Sequence, residues 1–297
     1  MLSTLDPGSP AARRGLSDIS IRNLFIIPTI AFLIVFNIFP LIYSLGYSFT
    51  DFRASSSAPA SFVGLQNYRD LLGDEHVWNN FSVTAKYVLV SVTGQVLVGF
   101  GVAMLLNRKI PFKGFITTLL LLPMMMSMAV VGLFWELLYS PSWGIINYAL
   151  GLEDFDWLSN PNVALYAVAI TDIWMWSPFV MLLCLAGLSA IPQHLYEAAA
   201  IDRASRWYTF TRITLPLVTP LLLIAIIFRT MEAFKTFDLA FIMSSQETTE
   251  LIAIKLYRLA FQEWQTGQSC ALAYMVLIMV LAITNIYVKY LNRVKER

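Results

Sequence analysis

Six stretches of this chain are each apolar over about 20 residues or more, the length of helix that crosses the hydrocarbon core of a bilayer. They lie near residues 24–48, 82–106, 115–138, 163–188, 217–243 and 270–291. In lipid every backbone N–H and C=O must find a partner within the protein, which makes such stretches helical. The predicted fold is therefore all-α, a polytopic membrane protein with six transmembrane helices. Pro28, Pro40, Pro123 and Pro178 fall inside spans, where neighbouring groups can satisfy the freed carbonyls. Composition points the same way. Only 13% of the 297 residues are charged and the mean hydropathy is +0.65, against about 25% charged in soluble domains.

Residues 1–23 are polar, contain Pro7, Gly8 and Pro10, and are expected to form a disordered tail. The apolar run that follows is longer than the roughly 7–15-residue core of a signal peptide, so it is read as an uncleaved first span. Basic residues set the orientation. Arg13, Arg14 and Arg22 precede the first span, Arg108, Lys109 and Lys113 follow the second, and Arg203, Arg206 and Arg212 lie between the fourth and fifth. Lys289, Arg293, Lys295 and Arg297 close the chain, with 292–297 as a short tail. The opposite loops hold Arg53, Arg69, Lys255 and Arg258. Thirteen against four places both termini and the 189–216 loop in the cytoplasm. A net charge of +1 leaves no broad basic field for nucleic acid.

Enzyme signatures are absent from the sequence. There is no G-x-x-x-x-G-K-[ST] loop, so this chain does not bind ATP by that route. Only two histidines are present, His76 and His194, and neither belongs to an H-E-x-x-H pattern. No catalytic residue and no metal ligand are expected. Cys184 and Cys270 have no metal-ligand spacing and read as small buried side chains.

Polar residues inside spans are costly in lipid and turn to a cavity or a partner. Asp172, Trp176 and Phe179 stand at i, i+4 and i+7, one helical stripe, with Met175 beside them and Pro178 placed to open the helix. Arg229, Glu232 or Ala233, and Thr236 repeat the spacing in the fifth span, near Lys235 and Asp238. A carboxylate beside flat aromatic faces suits a sugar, and an arginine suits an anionic substituent because its planar fork bonds two oxygens. The competing reading is internal: Arg229 and Glu232 at i, i+3 neutralise each other, and Asp172 pairs with a neighbouring helix. Trp174 reads as a packing or lipid-facing residue.

The stretch Glu197-Ala198-Ala199-Ala200-Ile201-Asp202-Arg203-Ala204-Ser205, running on to Ile213-Thr214-Leu215-Pro216, organises the cytoplasmic side. A short helix is predicted from about Pro192 to Asp202, with Ser205 as the N-cap of a second helix that stops before Pro216. Three successive alanines leave little side chain beyond Cβ, so another surface can approach closely. Leu195, Tyr196 and Ile201 offer a small apolar face.

This stretch resembles the Glu-Ala-Ala loop of the permease subunits of bacterial ABC importers. Phe62-Val63-Gly64-Leu65-Gln66-Asn67-Tyr68 and Gly144-Ile145-Ile146-Asn147 are similar to outer-loop patterns of the sugar and glycerol-phosphate branch, the maltose-type first subunit above all. The match covers about residues 24–291. The resemblance implies the type I importer permease fold in a bacterial inner (plasma) membrane. It implies a second homologous permease and two ATPase subunits that bind ATP and Mg, whereas this chain binds no cofactor. A periplasmic or lipid-anchored solute-binding protein and a sugar-like substrate complete the set. Glu197, Ala198, Ala199, Asp202, Arg203 and Ala204 would dock in the ATPase. Substrate contacts would come from the stretches 172–179 and 229–236, although the residue types there differ from the family's. The family usually has glycine where Arg203 stands, and often Thr-Gly-Gly-Gly-Pro where this chain reads Ser244-Ser245-Gln246-Glu247-Thr248. The alternatives are an ion-coupled secondary transporter, which would show inverted repeats with broken helices, and a membrane enzyme, which would need a clustered catalytic constellation.

Overall fold

A computed structural model describes residues 18–152, 154–243 and 249–295. Within them the regular structure is helical, joined by turns and irregular loops, with one isolated antiparallel bridge between Thr50 and Phe62. The Ser244–Thr248 stretch, residues 1–17 of the predicted tail and residues 296–297 lie outside the described residues.

The first rod consists of α1 (Asp18–Leu33), a π-helical turn (Ile34–Ile38) and α2 (Phe39–Ser48). Asp18 to Asn23 are therefore helical, not part of a disordered tail. The span Arg22–Ser48 has none of its apolar window buried within the chain. It meets the rest near α2, where the Tyr274 hydroxyl donates to the Leu41 carbonyl. In the outer segment that follows, Asn67 of α3 (Gln66–Gly73) donates to the carbonyls of Ser48 and Thr50, each at 2.8 Å. Gly64 takes a positive φ of 57° just before it. These two residues explain the Gly-Leu-Gln-Asn pattern: one turns the chain and the other ties the turn to the end of α2.

The centre is the pair α4 (Glu75–Leu106) and α8 (Ala164–Ser189). Small residues let membrane helices approach closely, and Gly99 does so here. A Cβ there would lie 2.6 Å from the Ser177 carbonyl oxygen and 2.7 Å from the Val180 Cβ. Around this contact Tyr87, Val92, Ala167, Met175, Val180 and Met181 are buried. Cys184 is buried and Cys270 half-buried, and both are free thiols. Pro178 sits inside α8 without ending it, so the predicted opening of that helix does not occur.

The third and fifth spans depart from the prediction. Residues 115–138 are not one straight span. They fold as α5 (Lys113–Met125) and α6 (Met128–Leu138), bent by 97°. Pro123 and the extended Met126 end the first piece, and Ser127 caps the second by accepting from the Val130 N–H at 3.3 Å. Beyond α6, Asn147 of α7 (Ile145–Leu150) is buried and holds the outer loop. It donates to the carbonyls of Pro141 and Phe155 and accepts from the Trp157 indole N–H at 2.6 Å. On the other side of α8, short helices α9 (Gln193–Ile201) and α10 (Arg206–Thr209) lead through a π-helical turn (Phe210–Thr214) into α11 (Leu215–Ala233).

Pro216 therefore does not stop the helix. The Leu215 N–H bonds to the Phe210 carbonyl, a wide ring that absorbs the proline one residue later. Phe39 and Pro40 repeat the device, with the Phe39 N–H on the Ile34 carbonyl. The fifth span ends early, at Ala233, and resumes as α12 (Asp238–Met243), which packs on α6 with Ile242 against Gly132. After α13 (Ile252–Tyr257) and a further π-helical turn (Arg258–Gln262), α14 (Thr266–Lys295) crosses back. Among the described residues five helices are long and apolar enough to cross a bilayer, or six when the bent pair counts as one.

Candidate functional site

Two places carry the predicted functional residues. The first is the loop between α8 and α11. Pro192 is the N-cap of α9, one position before the first turn predicted for it. Ser205 caps α10 as predicted, accepting from the Tyr208 N–H at 3.1 Å. Glu197, Ala198 and Asp202 are exposed and Ala199 is buried against the bundle. The apolar face differs from the predicted one: Ile201 is 82% exposed, but Leu195 and Tyr196 turn inward. Tyr196 shares a hydroxyl hydrogen bond with Thr214 at 3.1 Å. The outward strip is therefore Glu197, Ala198, Ile201 and Asp202, the i, i+1, i+4 and i+5 positions of one helix face.

Arg203 takes a φ of +52°, the left-handed conformation that glycine adopts most readily. The Ala204 N–H reaches the Ala199 carbonyl at 2.9 Å and the Arg203 N–H reaches that of Ala200 at 3.1 Å. These two bonds are the Schellman pattern that closes a helix C-terminus. The turn is present with arginine in the glycine position, and Arg203 and Ala204 stand directly after the outward strip.

The second place is where α4, α8 and α11 meet. Asp172 and Arg229 are each 2% exposed and their side chains lie 3.4 Å apart. Gln95 on α4 bridges them. Its amide accepts from the Arg229 Nε at 2.8 Å and donates to Asp172 Oδ2 at 2.7 Å. The guanidinium also sits 4.4 Å from the centre of the Trp176 ring, a cation–π contact. The hydroxyls of Tyr87 and Ser91 on α4 are fully buried and have no hydrogen-bond partner among the described residues.

The remaining candidates divide. Glu232 does not neutralise Arg229; it pairs with Lys235 at 2.7 Å on the surface, both side chains about half exposed. Spacing favoured the i, i+3 partner, but α11 turns Arg229 into the bundle and Glu232 out of it. Ala233 and Thr236 are buried. Thr236 lies past the end of α11, so the helical spacing that grouped it with Arg229 does not extend to it. Phe179 is half-buried with its ring 6.4 Å from that of Phe228. Trp174 packs edge-on against Trp135 at 5.6 Å. Gln95 was not singled out by the sequence. A lone amide in an apolar span is the signal that marks it, and it gains meaning only beside Asp172 and Arg229. Among the described residues no group of three or more His, Cys, Asp or Glu could hold a metal ion.

A family model described as "Binding-protein-dependent transport system inner membrane component" matches residues 95–295. This chain belongs to that family. The permease is 34% identical to the "Trehalose/maltose transport system permease protein MalF" of Thermococcus litoralis, over 90% of this chain and 92% of that one. It is 30% identical to the "Sulfoquinovosyl glycerol transport system permease protein SmoG" of Agrobacterium fabrum, over 93% and 92%. In fold it is similar to a chain of the bacterial alginate ABC transporter in complex with its alginate pentasaccharide-bound periplasmic protein. The TM-score is 0.80, at 22% identity, over 90% of this permease and 92% of that chain. The family membership sets the secondary-transporter alternative aside.

Proposed function

We propose that this permease lines, with a second homologous permease, the path of a sugar or sugar derivative across an inner membrane. It is the non-catalytic transmembrane part of an ATP-driven importer. Two partner ATPases bind the ATP and Mg, and a periplasmic or lipid-anchored solute-binding protein delivers the sugar. Both termini and the 189–216 loop face the cytoplasm. The observation that carries the reading is α9. Its outward strip of Glu197, Ala198, Ile201 and Asp202 is free of the bundle, and its end is fixed by the turn at Arg203. Support for the sugar comes from the relatives, whose names give trehalose and maltose in one case and sulfoquinovosyl glycerol in the other.

The chain order explains how such a strip would act. α9 is tied on one side to α8 and on the other, through α10, to α11. These are the helices that bear Asp172 and Arg229. Closure of the ATPases on ATP would move α9 as a lever, and both helices with it, and hydrolysis would let them return.

The test uses the importer assembled with its ATPases and binding protein in proteoliposomes. Glu197→Lys or Ala198→Trp is expected to leave membrane insertion intact while uptake is lost and ATP hydrolysis no longer responds to the binding protein. Normal uptake by either assembled variant would refute docking through this strip.

A further inference from the structure

Asp172 and Arg229 are held together less by direct contact than through Gln95. Their separations of 3.4 and 3.5 Å exceed the roughly 2.7–2.9 Å of a tight charged pair. The two short bonds, 2.8 and 2.7 Å, are both made by the amide. Only one orientation of that amide serves both, because the guanidinium Nε can only donate and an ionised carboxylate can only accept. Gln95 is wholly buried, as are its partners.

The Arg229 charge is therefore enclosed. A carboxylate balances it, the amide occupies its Nε, and the Trp176 ring covers its face at 4.4 Å. The aromatic residues that α8 and α11 leave partly open include half-buried Trp176 and Phe179 and Phe228, which is 54% exposed. Glu232, in the last turn of α11, and Lys235, just past its end, are exposed and pair with each other at 2.7 Å.

We propose that Gln95 is a positioning residue which, by locking Arg229 to Asp172 beneath Trp176, makes this an uncharged stacking platform selecting a neutral sugar over an anionic one. The inference rests on the sugar-importer reading and narrows it. An anionic sugar would have to draw Arg229 away from Asp172 and leave a buried carboxylate without its partner, a strongly unfavourable exchange. A neutral ring needs no such exchange, because its C–H face packs on the indole while the charges stay closed.

The test takes the assembled importer without binding protein, so that the membrane subunits alone select. Trehalose and a uronate-bearing disaccharide are the probes, and tryptophan emission is the readout, with Trp176→Phe identifying the contribution of that ring. Trehalose is expected to give a Trp176-dependent response and the uronate none. Gln95→Met should raise the trehalose midpoint about tenfold, or about 1.4 kcal/mol, and Asp172→Asn, which uncovers Arg229, should admit the uronate. If these variants fail to assemble, the double change Asp172→Asn with Arg229→Gln removes both charges together and should retain the preference for trehalose. A wild-type preference for the uronate would overturn the proposal. So would an unchanged midpoint in assembled Gln95→Met, a lost preference in the double variant, or no Trp176-dependent response to trehalose. ATP-driven uptake of an anionic sugar would overturn this inference alone and leave the importer reading standing. Absence of any binding-protein-stimulated ATP hydrolysis would overturn the importer reading itself.

Discussion

Arg229 on α11 and Asp172 on α8, 57 positions apart in the chain, lie side by side at 3.4 Å with each only 2% exposed. Two opposite charges inside a membrane bundle are retained only as a pair, because either alone would be a buried ion without compensation.

Removing one partner should therefore be far worse than removing both. Arg229→Gln or Asp172→Asn is expected to cost about 3–5 kcal/mol and to lower the yield of folded protein on gel filtration. The double change should restore most of that yield. Arg229→Gln with Glu232→Gln should give no such rescue, since Glu232 is bonded to Lys235 instead. Rescue through Glu232 would contradict the pairing.

The α4–α8 contact predicts opposite outcomes for two glycines of the same helix. Gly99→Ala places a methyl 2.6 Å from the Ser177 carbonyl oxygen, and overpacking of this kind destabilises by about 1–3 kcal/mol. Gly101 has nothing within 4 Å of its would-be Cβ. Gly101→Ala should be neutral or stabilising, by up to about 1 kcal/mol from helix propensity. Thermal unfolding of the two variants in detergent separates them.

At the end of α9, Arg203→Gly should keep the turn and relieve the unfavourable left-handed conformation, about 1–2 kcal/mol for a residue with a Cβ. Arg203→Val should do the reverse, because a β-branched residue tolerates positive φ poorly. The expected readouts are a higher melting temperature with retained ATPase stimulation for glycine, and weakened stimulation for valine. A valine variant with normal stimulation would separate the turn from docking.

Orientation is tested by labelling in a background lacking Cys184 and Cys270. Asn107→Cys is expected to react only from the cytoplasmic side and Ser57→Cys only from the outer side. The thirteen-to-four distribution of basic residues motivates the assignment. Reaction of both from one side would overturn it.

The sequence by itself determined what depends on local chemistry. Apolar length fixed that the chain is a set of membrane helices, since backbone groups in lipid have to be paired within the segment. The alanines at 198–200 and the charges around them marked the short helix α9, and Ser205 marked its own capping role. Only the tertiary structure decided what depends on direction around a helix. A spacing of three placed Glu232 beside Arg229 on paper, but the packing of α11 against α4 and α8 turned one inward and the other outward. The bend at Met126–Ser127 and the continuation through Pro216 were also invisible in apolar length. A hydropathy run is equally long whether a helix is straight, bent or widened by one residue. Gln95 was legible as a residue but not as a link, because hydrogen bonds reaching 77 positions along the chain to Asp172 and 134 to Arg229 exist only once three helices converge.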